Sequence, residues 1–144
     1  MAAGAISGGL LLLSLRPSRA DESSVFVPIN LLFEGLAKRD AAAIEASAIP
    51  GATFVSMQYG TLQQMTFAQV AQRVAKGTTH IDERIHDPLV HTDNDLALVW
   101  APFEFRIDGK VDHCGTDLFS LVRKDGKWLI GSLSATLRKD CGKP

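Results

Sequence analysis

Two dipeptides, Asp108-Gly109 and Asp125-Gly126, constrain this chain more than any other feature. Each sits between long runs in which apolar and polar residues alternate. Asp-Gly suits a two-residue hairpin turn, because both central positions take positive φ and so match the twist of the flanking strands. The pattern predicts three long antiparallel strands, Leu96 to Ile107, Val111 to Arg123 and Lys127 to Leu137. A fourth, Thr79 to Val90, precedes them across the turn Asp93-Asn94-Asp95. Pro88 near its end suits an edge or a bend.

The first half has helical period instead. Ile29, Leu32, Phe33 and Leu36 predict a helix over Val25 to Lys38. Asp40 is placed to cap a short Ala-rich helix, Ala41 to Ala48, which Pro50-Gly51 ends. Ala52 to Gln58 reads as a short strand, and Tyr59-Gly60 as a turn returning Leu62-Gln63-Gln64 beside it. Thr66 then caps a helix from Phe67 to Lys76, closed by Gly77, with Phe67, Val70, Ala71 and Val74 as its apolar stripe. A length of 144 residues, 46% hydrophobic and 22% charged, fits one globular domain. The fold class is therefore α+β, with N-terminal helices packed on a curled antiparallel sheet.

Residues 1–20 read differently. Ala5 to Leu15 is an apolar stretch containing Leu10-Leu11-Leu12-Leu13, too short to span a bilayer. Arg16-Pro17 stops it, and Ser18-Arg19-Ala20 offers small residues for signal-peptide cleavage after Ala20. No Lys or Arg precedes the stretch, where such a leader usually carries one. The expectation is an exported chain, periplasmic or secreted, whose mature domain is 21–144 and has no stable membrane span. Loss of Arg16 and Arg19 takes the net charge from -1 to -3. With pI near 6.4 and no basic run, nucleic acid is not an expected partner. In an oxidising compartment Cys114 and Cys141 are a candidate disulfide, provided that the tail after Leu137 bends back.

Strict two-residue turns would place Ile107 opposite Lys110 and Lys124 opposite Lys127. Glu104 then faces His113, Trp100 faces Asp117, Asp117 faces Ser134 and Gly115 faces Thr136, all on one side of the sheet. That side also carries Phe119, Leu121, Trp128 and Ile130. The other side carries Val99, Phe103, Phe105, Leu118, Val122, Leu129 and Leu133. Both faces are substantially apolar, so one must pack the helices and the other be covered, most simply by a homodimer through the sheet. A one-residue bulge would swap these faces.

The element order, together with Val99-Trp100-Ala101-Pro102-Phe103-Glu104-Phe105, His113-Cys114-Gly115, Asp117-Leu118-Phe119 and Asp125-Gly126-Lys127-Trp128-Leu129-Ile130, resembles the nuclear transport factor 2-like superfamily, in its lumazine-binding-like and related branches. The resemblance implies a cone in which helices pack on a strongly bent sheet that encloses a pocket. It also implies sheet-mediated dimers in several members. It does not single out an activity, because the superfamily holds isomerases, cyclases, dehydratases, epoxide hydrolases and non-catalytic binders.

Three functions stay open: a module binding a small apolar or amphipathic ligand, a pocket enzyme of isomerase or dehydratase type, and a non-catalytic dimerisation or structural module. The catalytic candidates are Glu104, His113 and Asp117. A carboxylate in an apolar pocket has its charged form disfavoured, and an imidazole across the strand can orient it or relay a proton. Ser134 and Thr136 are candidates to hold a ligand oxygen, and Trp100, Phe119 and Trp128 to line the cavity. The bland alternative makes Glu104 and His113 a surface pair and the aromatics core. The ketosteroid isomerase pattern needs a tyrosine donor beside an aspartic acid, and the chain's one tyrosine, Tyr59, lies in the early turn. His80, Asp82, Glu83, Arg84, His86, Asp87 and His91 crowd one strand, but His80 and His86 lie about 20 Å apart at strand rise. Neither a metal nor a cofactor is expected; alternating charge on a partly solvated strand accounts for the cluster.

Overall fold

The computed structural model describes residues 19–142; most of the expected leader therefore lies outside the described residues. Three helices precede most of the sheet: α1 (Arg19–Lys38), α2 (Ala41–Ala46) and α3 (Phe67–Ala75). The strands are β1 (Ala48–Gln58), β2 (Thr61–Thr66), β3 (Ile81–Ile85), β4 (Leu89–Asp93), β5 (Leu96–Ile107), β6 (Lys110–Lys124) and β7 (Lys127–Arg138). Together they form one curved, unclosed sheet in the order β2-β1-β7-β6-β5-β3, with β4 also paired to β5.

Local chemistry explains the helix boundaries. Asp40 accepts a hydrogen bond from the Ala43 amide at 3.1 Å and caps α2. Thr66 and Gln69 form a reciprocal capping box at the start of α3, which satisfies two amides that a helix end leaves over. Arg39 closes the helical layer, donating from Nη1 to the Val74 carbonyl at 2.7 Å and from Nε to the Thr79 carbonyl at 3.1 Å. Among the described residues no helix is long and apolar enough to cross a membrane.

Both predicted tight turns form, with positive φ at Asp108, Gly109, Asp125 and Gly126, and they pair Ile107 with Lys110 and Lys124 with Lys127. Three features differ from the sequence expectation. The long strand from Thr79 breaks into β3 and β4 at His86-Asp87-Pro88, where Asp87 takes φ 41° and Pro88 has no amide to donate. Strand β1 begins at Ala48, and Gly51 (φ 79°) lies in its one irregularity against β7. That β1–β7 contact is parallel, and it joins the early hairpin to the meander.

Two bulges decide which side chains share a face. Between Phe105↔His113 and Arg106↔Val111 one extra residue, Asp112, lies in β6. Between Ser120↔Ser132 and Leu121↔Ile130 the extra residue is Gly131 in β7. A bulge bends its strand and reverses the inward alternation beyond it. The concave face consequently carries Val99, Phe119, Leu121 and Ile130, all fully buried, against Val25, Ile29 and Ile44 from the helices. Phe33 of α1 meets Phe119 edge-on at 6.2 Å. Each such side chain stabilises the fold by about 1.5–3 kcal/mol through burial.

Candidate functional site

Alternation in β3 points Ile81, Glu83 and Ile85 toward the concave side, while Asp82 and Arg84 pair outside at 2.7 Å. The Asp112 bulge turns His113 inward against Phe105, and places Asp117 inward between Ala101 of β5 and Ala135 of β7. Ala135, beside it on β7, is small and leaves space there that a larger residue would fill. The result is a cavity of about 190 Å³ between the sheet and helices α1 and α3. Its wall is apolar: Leu32 and Leu36 from α1, Phe67, Val70 and Val74 from α3, and Phe54, Ile81, Phe103, Phe105, Leu133, Ala135 and Leu137 from the sheet. Glu83, His113 and Asp117 are the three lining residues with polar side chains.

Glu83 and Asp117 lie within hydrogen-bonding reach of each other. Two carboxylates cannot share a hydrogen bond unless one holds a proton. Asp117 is 2% exposed, and its Oδ2 accepts from no N–H or O–H donor among the described residues. Burial pushes Glu83 up to about 7, partly offset by its bond to Asp117 and reinforced by the charge of Asp82. Burial and the facing Glu83 carboxylate hold Asp117 well above the usual carboxylate range. Desolvation and like charge thus act together to keep a proton on the pair at neutral pH.

His113 is fixed from behind. Its Nδ1 lies 2.9 Å from Asp112 Oδ2, and Lys139 Nζ sits 3.0 Å from the other Asp112 oxygen. These bonds, that to His113 foremost, lower the Asp112 carboxyl below its ordinary value. The His113 ring stacks on Phe105 at 4.6 Å and meets Phe103 edge-on at 5.9 Å. An Nδ1–H donating to Asp112 leaves Nε2 as an acceptor.

The structure brings His113 and Asp117 to one cavity but does not bring Glu104 there. The bulge pairs Glu104 with Cys114, and its carboxylate instead takes Arg106 Nη2 at 2.8 Å on the outer face, with His86 Nε2 at 3.9 Å. Trp100 pairs with Leu118 on that outer face and is 49% exposed. Ser134 and Thr136 are likewise exposed there, because the Gly131 bulge moves Ala135 opposite Asp117 and Leu137 opposite Gly115. Phe119 is closed into the core. Trp128, under the Arg123 guanidinium at 4.9 Å, borders a separate hollow beside α1 lined also by Val27, Pro28 and Leu31. Tyr59 is exposed in the β1–β2 turn. Cys114 and Cys141 form a disulfide with Cα atoms 5.8 Å apart, the tail folding back after Arg138.

Sequence reasoning missed Glu83, which it placed in a solvated charge cluster. A signal was present: Glu83 sits between Ile81 and Ile85 on the apolar side of a period-two pattern, where a carboxylate is out of place. Among the described residues no three His, Cys, Asp or Glu side chains converge as a metal site.

A family described as "Putative lumazine-binding" matches residues 20–133. No curated protein matches the chain. A nuclear transport factor 2-like protein of unknown function from Shewanella baltica OS155 superposes with TM-score 0.66 at 16% identity, covering 85% of this chain and 98% of that one. A domain of unknown function with a cystatin-like fold from Nostoc punctiforme PCC 73102 gives TM-score 0.63 at 18% identity, covering 83% and 78%. A protein from Streptomyces avermitilis, described as a "putative dehydratase" of the nuclear transport factor 2-like family, gives TM-score 0.64 at 16% identity, covering 81% and 95%. At these identities the likeness speaks for the fold alone.

Proposed function

The chain belongs to the "Putative lumazine-binding" family of nuclear transport factor 2-like domains, and from that premise we propose that it binds a small, mainly apolar molecule in the cavity between α1, α3 and the sheet. One observation carries the reading: an apolar cavity of about 190 Å³ that three titratable side chains, Glu83, His113 and Asp117, help to line. A core without function would fill such a space, since interiors pack densely and a cavity destabilises the fold. The family description agrees with a small ligand. The test is NMR titration with propylbenzene. Saturable shifts at Leu133 and Ala135 are expected in the native chain, and their loss in Val70→Phe, which fills the cavity from α3. Shifts that persist in a folded Val70→Phe would refute the reading.

A second reading rests on the proton that Glu83 and Asp117 share. An acid pair in a cavity that an imidazole also lines can give or take a proton at a bound ligand, as an isomerase or dehydratase requires. Glu83 stands there in the role expected of Glu104. The check is loss of water from a small aromatic β-hydroxyketone, followed by enone absorbance. Turnover that disappears in Glu83→Gln supports catalysis; no turnover above buffer refutes it for this substrate class.

Two further features belong to the proposal. The outer sheet face exposes Leu89, Leu96, Leu98 and Trp100, an apolar area that supports a homodimer through the sheet. Sedimentation should find a dimer that Trp100→Arg dissociates; a native monomer at high concentration refutes it. The disulfide supports export to an oxidising compartment.

A further inference from the structure

The cavity has an acceptor-rich polar end. None of its lining residues is Lys, Arg, Ser, Thr, Tyr, Asn, Gln or Trp, so no lining side chain carries a permanent donor. Its polar atoms are the Glu83 and Asp117 carboxyl oxygens and the His113 ring nitrogen left over from Asp112. Asp117 Oδ2 is buried and has no hydrogen-bond partner among the described residues. Every other element facing the pair presents apolar groups: leucines from α1, Phe67 and two valines from α3, phenylalanines from β1 and β5. Beyond the wall, Asp82 acts on Glu83 and is itself paired with Arg84, and Asp112, behind His113, is paired with Lys139. No Lys or Arg side chain lines the cavity to balance the pair.

The geometry points to a ligand that is an apolar, typically aromatic, body bearing one protonated amine, with the ammonium donating to Glu83 and Asp117 and the body packed against Phe103 and Phe105. This rests on the cavity reading above and names its ligand class. An ammonium supplies both the donors and the positive charge that the pair lacks, and the phenylalanine faces attract a cation further. Proton balance follows. Where the pair is fully protonated, binding of the ammonium releases one proton to solvent; where it has already ionised once, binding releases none. Affinity for the amine therefore rises with pH toward neutrality and then levels. A neutral carbonyl compound, which needs the pair as donor, behaves in the opposite way.

The experiment uses three probes of similar shape: phenethylamine, propylbenzene and phenylacetone. Titration calorimetry on the native chain at pH 5.5 and 7.5, in buffers of different ionisation enthalpy, gives affinity and proton count. We expect the amine to bind about tenfold or more tightly than propylbenzene at pH 7.5, with affinity lower and about one proton released at pH 5.5. Glu83→Gln, and separately Asp117→Asn, should collapse the ratio of amine to propylbenzene affinity. The two variants guard against either one failing to fold. Propylbenzene binding with no preference for the amine overturns this inference and leaves the cavity reading standing. Tighter binding of phenylacetone, weakening as pH rises, overturns it in favour of a proton-donating pair. No binding of any probe overturns both.

Discussion

Replacing Glu83 by Gln should flatten the dependence of this protein's stability on pH. In the native chain the Glu83 carboxyl rises from its ordinary 4.5 to about 7, chiefly through burial. A carboxyl raised in the folded state is protonated there while its unfolded counterpart is ionised, so the folded chain binds the extra proton. Stability then falls as pH rises. The contribution is fully present below about 4.5 and lost as pH passes through about 7. At 1.36 kcal/mol per tenfold, the difference amounts to roughly 3 kcal/mol. For a domain of this size that is a fall in Tm of about 10 °C. Asp117, raised well above the carboxylate range by burial and by Glu83, extends the decline to higher pH. A glutamine keeps the hydrogen bond to Asp117 but removes the facing charge, so Asp117 ionises more readily and the slope shrinks. The assay is thermal denaturation of both proteins from pH 4.5 to 8.5, followed by circular dichroism. Parallel curves for native and Glu83→Gln, or a native Tm that rises with pH across this window, would refute the claim that the two carboxyls meet in a desolvated pocket.

Other expectations follow from the same geometry. Gly115→Ala should prevent folding or destabilise by more than about 3 kcal/mol, because an added Cβ would overlap the Thr136 carbonyl oxygen of β7 and press the Phe103 ring; urea unfolding or the soluble yield reads this out. Cys141→Ser should lower stability by roughly 3 kcal/mol relative to the oxidised native chain, since the bridge spans 27 residues, and native protein under reductant should fall to match it in urea denaturation. Asp112→Asn should act on the acid side. The Asp112 carboxyl is lowered by His113 and Lys139, so its stabilisation is present above its unfolded value and lost as pH falls through its folded one. Acid titration should show a loss below pH about 4 that the variant lacks, worth less than about 1 kcal/mol at this partly exposed site.

Much of the fold was legible because its signals are local. Asp-Gly turns, the Asp40 cap and the Thr66 cap are decided by a few neighbouring dihedrals and amides, and each forms as read. The period-two runs likewise specify strands, and the Tyr59-Gly60 turn specifies the early hairpin. The candidate site was legible only in part: His113 and Asp117 share the cavity, but Glu104 does not join them and Glu83 does.

The reason lies in where register is decided. A turn sets pairing at its own end of a hairpin, so Ile107↔Lys110 and Lys124↔Lys127 follow from sequence alone. Further along, the strands must bend to wrap the helices, and the bend is taken up by extra residues at Asp112 and Gly131. Which residues absorb that curvature depends on the whole packed sheet, and one such residue moves every later side chain to the opposite face. The meeting of Glu83 with Asp117 joins strands separated by β5 in the sheet order, so no short stretch of chain encodes it. Local patterning was thus enough for most of the elements and for both tight turns. Which carboxylates come to line one cavity follows instead from the curvature of the whole packed sheet, which no local signal carries.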